Sequence, residues 1–472
     1  MTNTMVDEMQ KVTGVGASIG GINLPMESER VLDFFADVKN VFVLIIAGGI
    51  GSRLVGIGSN DVPKQFTVCN EAGETWIQVT VKRFLDLGIL AKNVVVITTN
   101  NGQTRLAEEQ LVGLGVYSSR IHQIANNYDY AGAMIKGAEF IKQIDKDAVI
   151  INTPADQYVI ADDNFKATMV KAIKAASSGI PTLIGVKTTD LNLIKGCGHA
   201  IYDPDDLGET KKVIDFVEKP QLARAEELLD AGNSALNTGI NVWSVKTLFE
   251  QAKTVIDKKR LEDLEKVTEA IDRSEKIYGK AATKEQIAKL TSDIQSEVKG
   301  WSLGTDELMD VFDNLQVSIG VFTWADCGTY DSLYKVLRKS ADHKNAKIGG
   351  GELDSRYCSS NLFFVAENYL LKAFGLQNSF VAVNSIYNRT VIVVGDMEHC
   401  QLVKEFGEKL GDDLITGHSY NIESKNCHVQ STEVEDAMVC FIGLNNHSAT
   451  SLKGRNGEII VSISDDSFKK IS

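Results

Sequence analysis

The stretch VFVLIIAGGIGSRLVGIGSNDVPKQF, residues 41–66, decides how the rest of the chain is read. An unbroken apolar run from Val41 to Ile46 ends in Ala47, Gly48, Gly49 and Gly51, with Ser52 and Arg53 next and Lys64 after a proline. Such a run, broken by glycines, reads as a buried parallel strand feeding a tight turn. Glycines there let backbone N–H groups approach an anion that side chains would block. Arg53 and Lys64 add fixed positive charge suited to a polyphosphate. Spacing excludes two familiar phosphate loops. A P-loop needs Gly-Lys-Ser/Thr inside the turn, and the dinucleotide fingerprint needs GxGxxG followed by an acid.

A chain of 472 residues suggests two or three domains with ample material for a core. The net charge of −14 argues against a nucleic-acid or anionic-membrane partner, because phosphate neutralisation needs clustered Lys and Arg. An acidic chain that binds a polyphosphate must concentrate its positive charge locally, as the segment from Arg53 to Lys64 does. No apolar run approaches the ~20 residues of a membrane span. The opening MTNTMVDEMQKVTG lacks the charged-then-apolar order of a signal peptide. Seven cysteines without CxxC spacing fit reduced thiols, so a cytoplasmic location is expected. His399–Cys400 and Cys427–His428 are adjacent pairs whose side chains point to opposite faces of a strand, which speaks against zinc.

The expected organisation is an N-terminal extension (1–40), an α/β domain (41–340) with a charged helical insert at about 245–315, and a smaller β-rich domain (345–472). Strands are expected at Val41–Ala47, Asn93–Thr99, Ala148–Asn152 and Pro181–Val186, with helices at Thr75–Leu87, Thr104–Leu114 and Tyr130–Ile144. This alternation predicts a Rossmann-like, mostly parallel or mixed sheet between helices. Lys212–Val217, Ile240–Ser244 and Gln316–Trp324 are shorter strand candidates that could add antiparallel partners. Asn361–Ala366, Ser379–Asn384 and Arg389–Val394 have the look of a β-helix or a sandwich.

Further motifs follow in order. Thr153-Pro154-Ala155-Asp156 ends a strand where open α/β sheets bind ligands, so Asp156 could hold magnesium; equally, it could be a helix N-cap or turn aspartate. Phe216-Val217-Glu218-Lys219-Pro220 offers an acceptor and a cation, or a solvated strand end. Asn237-Thr238-Gly239 reads as a small polar turn that could hold a sugar hydroxyl, or simply a turn. Trp324-Ala325-Asp326-Cys327-Gly328 places a second acid beside a glycine turn.

Together these motifs resemble the sugar-1-phosphate nucleotidyltransferases, specifically the mannose-1-phosphate guanylyltransferases. The matching residues are AGGIGSR (47–53), PKQF (63–66), Trp76–Thr80 with Arg83, TPADQYV (153–159), FVEKP (216–220), NTGI (237–240) and WADCGTYDSL (324–333). The resemblance implies that Ala47, Gly48, Gly49, Gly51, Ser52, Arg53, Lys64 and Asp156 bind nucleotide. It implies catalysis by Arg53, Lys64, Asp156 and Asp326, with Mg2+ held by Asp156 and Asp326. Gly198, Glu218, Lys219 and Asn237 would bind the sugar phosphate. The implied reaction joins GTP, or another NTP, to a sugar 1-phosphate, giving a GDP-sugar and pyrophosphate. In such enzymes a β-rich tail commonly mediates self-association, so a homo-oligomer is expected. The sequence departs from the family's pattern at Val55-Gly56-Ile57, which replaces a Trp-Pro. Two further departures bear on recognition: Ile124-Ala125…Asp129-Tyr130-Ala131-Gly132-Ala133 replaces the motif that shapes the base pocket, and Cys197-Gly198-His199 replaces a Tyr-Gly-Tyr of the sugar pocket. These two motivate an alternative NTP or an alternative sugar or alditol phosphate. A further alternative is an inactive paralogue that binds a nucleotide sugar and regulates a partner enzyme. The C-terminal histidines show no closely spaced pair with a glutamate, so no fused isomerase is expected.

Overall fold

The structure is a computed structural model. It describes residues 40–49, 54, 56–59, 61–124, 129–258, 305–337, 339–386 and 389–397, and, beyond these, strands within 421–464. Two compact units divide the chain, the first drawn from 1–48, 81–154 and 159–324, the second from 49–80, 155–158 and 325–472.

The first unit is built on a nine-stranded mixed sheet. Its strands are β1 (Val41–Ile46), β2 (Val94–Thr98), β3 (Ile121–Gln123), β4 (Val149–Pro154), β5 (Thr182–Val186), β6 (Gly198–Tyr202), β7 (Lys211–Glu218), β8 (Ser234–Ser244) and β9 (Gln316–Gly320). The spatial order is β3-β2-β1-β4-β8-β5-β9-β7-β6, with β8 also pairing with β6. β1 runs parallel to both β2 and β4, with Val43 opposite Val94 and Ile46 opposite Pro154. Because the order reverses direction at β1, the carboxyl ends of β1 and β4 form the switch point at which open sheets bind ligands. The apolar run of β1 is almost wholly buried, as a strand covered on both faces requires.

Helix α1 (Asn101–Leu111) follows β2, capped by Asn100, whose side chain accepts the Gln103 N–H at 2.9 Å. Helix α2 (Asp129–Ile144) turns Met134, Ile135, Ala138 and Ile141 onto Leu44, Ile97 and Ile150. Helix α3 (Asp163–Ser177) buries Phe165, Met169, Val170 and Ile173. Each such side chain contributes about 1.5–3 kcal/mol by leaving water. The expected strand Gln316–Trp324 stops at Gly320. Of the expected insert, Val245–Gln251 is helical, capped by Ser244, and Thr305–Met309 is a short helix; residues 259–304 lie outside the described residues.

The expected turn at Asn237–Gly239 is instead part of β8. Opposite β5 the register jumps, Leu183 facing Asn241 and Gly185 facing Asn237, so β8 carries extra residues there. Gly239 takes φ +76° inside this irregularity, and the Thr238 hydroxyl donates to the Ile184 carbonyl at 2.8 Å. The composition of a turn is present, but cross-strand pairing before and after the segment keeps it in the sheet.

In the second unit, strands β10 (Ala346–Ile348), β11 (Glu352–Arg356), β12 (Leu362–Val365), β13 (Leu370–Phe374) and β14 (Ser379–Ile386) alternate between two sheets. β10, β12 and β14 pair in parallel in one sheet, and β11 and β13 in the other. This is the coil of a β-helix. Phe363, Val365, Leu371, Val381 and Ile392 pack together in its core. At one corner Asn361 donates to Asn345 Oδ1 at 3.0 Å and accepts from the Ser379 N–H at 2.9 Å, a polar ladder between successive coils. A second cluster packs Leu54, Ile57 and Trp76 with Tyr330 and Phe380, whose rings stack at 3.9 Å.

Candidate active site

In the first unit, strand pairing brings the expected sugar-side residues together. Gly198 of β6 lies directly opposite Glu218 of β7. On the other side of β6, His199 faces Leu236 and Ala200 faces Ala235, so one further step of that register sets Asn237 beside Gly198. Directly opposite residues share a face of a sheet, which makes Glu218, Gly198 and Asn237 a row across three strands. The row needs glycine at its centre. A Cβ on Gly198 would come within 2.6 Å of both Glu218 Oε2 and Phe216 Cζ. Lys219, at φ +45°, donates its N–H to the Cys197 carbonyl at 3.2 Å and pairs with Glu218 at 3.2 Å while its side chain stays exposed. His199, one residue on, points to the other face and is 2 % exposed. Its Nε2 meets the Ile194 carbonyl, and burial holds the imidazole below its ordinary value despite that bond.

Just past β1, Gly48 is held by its carbonyl, which accepts from Thr99 Oγ1 at 3.0 Å and Gln103 Nε2 at 3.3 Å. A Cβ there would overlap the Thr99 methyl, so the first glycine of the loop is sterically required. Sequence reasoning missed Thr99 and Gln103, although Asn100-x-x-Gln103 follows the capping rule that puts Gln103 in place.

The second unit holds a different cluster. Lys64 is 4 % exposed and its ammonium meets three acceptors: the Asp326 carbonyl at 2.7 Å, the Asp156 carbonyl at 2.8 Å and Asp156 Oδ2 at 3.1 Å. A lysine has three N–H donors, so all are engaged. One ammonium thus pins the two turns that carry the acids. Asp326 Oδ1 accepts the Gly328 N–H at 3.2 Å across Cys327, which sits at φ +49°. Burial pushes the Cys327 thiol up to about 12, against the opposing pull of Lys64. Gln65 donates to the Gly49 carbonyl at 2.8 Å, and Thr80 donates to the Ala155 carbonyl at 3.1 Å. Asp156 is not a helix N-cap; that role falls to Asp162, which accepts from the Phe165 N–H.

The donor set suits a magnesium ion in kind. Lys64 takes one Asp156 oxygen and Gly328 one Asp326 oxygen, leaving one hard oxygen on each acid. Magnesium commonly takes one or two carboxylates and completes its shell with water and phosphate oxygens. No group of three or more His, Cys, Asp or Glu residues among the described residues forms a cage of its own.

The sequence matches the nucleotidyl transferase family over residues 42–343. The chain belongs to that family. Among curated relatives of this nucleotidyltransferase is the mannose-1-phosphate guanylyltransferase of Salmonella montevideo, 25% identical over 83% of this chain and 76% of that one. The enzyme of the same name from Sinorhizobium fredii is 28% identical over 65% of this chain and 56% of its own length. A crystal structure described as mannose-1-phosphate geranyltransferase from Thermus thermophilus shares the fold, with TM-score 0.59 and 23% identity over 79% of this chain and 99% of that one. The resemblance drawn from the motifs is thereby borne out at the level of family and fold.

Gly51, Ser52 and Arg53 lie outside the described residues, as do Val55 and 125–128 of the altered segments. Asp129 to Ala133 form the first turn of α2, Asp129 at φ +47°.

Proposed function

We propose that this nucleotidyltransferase transfers a nucleotidyl group from GTP to mannose 1-phosphate, giving GDP-mannose and pyrophosphate with Mg2+ as cofactor. The observation that carries the reading is the Lys64 pin, which sets Asp156 and Asp326 at one buried cation in a chain of this family. The names of the curated relatives support the choice of base and sugar.

The sugar phosphate oxygen is already a nucleophile, so the chain need not supply a general base. That oxygen forms a bond to the α-phosphorus of the nucleotide while the bond to pyrophosphate breaks in line. The protein's part is positioning and neutralising charge. Asp156 and Asp326 would hold magnesium, which neutralises developing charge on the phosphates. Lys64 acts as a fixed charge behind the two acids, its donors spent on them rather than on phosphate. Glu218 accepts from sugar hydroxyls, Asn237 donates to them, and exposed Lys219 meets the sugar phosphate. Gly198 leaves the room that the Glu218 carboxylate and the Phe216 ring occupy over the strand. Arg53 is assigned to the phosphates of the nucleotide on its motif alone.

A matrix of four NTPs against several sugar 1-phosphates, read by pyrophosphate release, tests the reading. Turnover highest with GTP and mannose 1-phosphate supports it. No turnover with GTP ends it. Tyr130 in the first turn of α2 and the inward-facing His199 favour a second reading, in which the chemistry stands and another base or sugar is preferred. Loss of magnesium-dependent turnover in Asp156→Ala excludes an inactive paralogue. No helix among the described residues is long and apolar enough to cross a membrane. Self-association remains part of the proposal, and a monomer by light scattering at micromolar concentration removes it.

A further inference from the structure

One chain of hydrogen bonds in the first unit ends on Asn237, and its other members have no part in the mechanism above. Tyr130 donates its hydroxyl proton to the Gly239 carbonyl at 2.8 Å, and Asn152 Nδ2 donates to the same hydroxyl at 2.8 Å. Gly239 in turn gives its N–H to Asn237 Oδ1 at 3.1 Å. The two polar groups of residue 239 are therefore tied, one to Tyr130 and the other to the asparagine of the Glu218–Gly198–Asn237 row. With Oδ1 engaged, the Asn237 amide presents Nδ2 as its donor. Gly239 sits at φ +76°, a conformation open to glycine but not enforced by it. Local bonds from Asn237 and Thr238 shape the bend, and the Tyr130 bond ties its carbonyl to α2.

The layer beneath is polar where a strand interior is ordinarily apolar. Asn152 and Asn241 lie opposite each other on β4 and β8, 0% and 1% exposed. Asn152 Oδ1 and both polar atoms of the Asn241 amide meet no hydrogen-bond partner among the described residues. Buried polar atoms left in that state cost stability, so their retention calls for a reason. Supplying a fixed donor to the Tyr130 hydroxyl is such a reason.

We infer that Tyr130 is a positioning residue for the sugar phosphate: it fixes the Gly239 carbonyl, and through the Gly239 dihedrals the N–H that orients the Asn237 amide. The inference rests on the proposed reading, in which Asn237 binds the sugar. Tyr130→Phe removes the hydroxyl and keeps the ring. Initial rates are measured with each substrate varied in turn, alongside the melting temperature. The expected result is a KM for the sugar phosphate raised roughly tenfold, the scale of one well-placed hydrogen bond, with KM for the NTP unchanged. In an Asn237→Ala background, Tyr130→Phe should add little, because both act through one amide. Equal changes in both KM values, or a full additional effect in the Asn237→Ala background, overturn the inference while the functional reading stands. A wild-type chain that turns over no pairing of NTP and sugar phosphate overturns both. Should Tyr130→Phe not fold, Asn152→Leu removes the donor to the hydroxyl. A rise confined to the sugar phosphate then supports the inference, and its absence overturns it.

Discussion

Replacing Lys64 with methionine separates two roles that the ammonium could play. In the structure it donates to two backbone carbonyls and one carboxylate, at 2.7, 2.8 and 3.1 Å, while 4 % exposed. Hydrogen bonds to a charged group contribute about 1.5–3 kcal/mol each, and breaking a buried ion pair costs about 3–5 kcal/mol. Two effects lower the total. Methionine is spared the desolvation of a buried ammonium, and the Asp156 side chain, 35% exposed, regains some hydration. A net loss of about 2–4 kcal/mol remains, which at ~2–4 °C per kcal/mol lowers the melting temperature by roughly 5–15 °C. Turnover should fall by about 10²–10³, because the acids lose their alignment together with the charge. Thermal denaturation without ligand, followed by circular dichroism, is set beside pyrophosphate release. A variant that melts with the wild type and loses only kcat refutes the reasoning, for the ammonium would then be idle in the fold and a direct phosphate ligand.

Gly198→Ala should raise KM for the sugar phosphate at least tenfold, because its methyl displaces the Glu218 carboxylate and the Phe216 ring; an unchanged KM would show that the row does not touch the sugar. Burial holds His199 below its ordinary 6.5, so the folded chain binds fewer protons than the unfolded one as pH falls. The stability owed to neutral His199 is complete above pH 6.5 and drains away as pH drops through the folded value. Urea midpoints measured from pH 7.5 to 5.5 should decline less in His199→Gln than in wild type, and parallel declines would contradict this. Cys69, Cys327 and Cys358 are buried, and Cys197 is half-buried. A thiol reagent should therefore modify Cys197 in the native protein and leave Cys327 unmodified until unfolding; prompt modification of Cys327 would disprove its burial.

Much of the first unit could be read directly along the chain. The runs that became β1, β2, β4 and β5 are continuous and apolar because strands covered on both faces carry no polar face. The glycine loop stood out by itself, whereas the two acids and the Glu-Lys pair, each readable as an ordinary turn or strand end, stood out only through the order of motifs they share with the family. Sequence alone therefore determined the family, the layered α/β class and the residue types at the site. The tertiary structure decided what those residues do to one another. Lys64 lies 92 and 262 residues from the acids it pins, a separation no local pattern encodes. The Glu218–Gly198–Asn237 row exists only through the register of three strands, since a slip of one residue would turn its side chains to the opposite face. The same register drew Asn237–Gly239 into a strand although its composition is that of a turn. Strand pairing before and after the segment outweighed the local preference, and a tyrosine more than a hundred residues away in sequence donates to the carbonyl of the resulting bend.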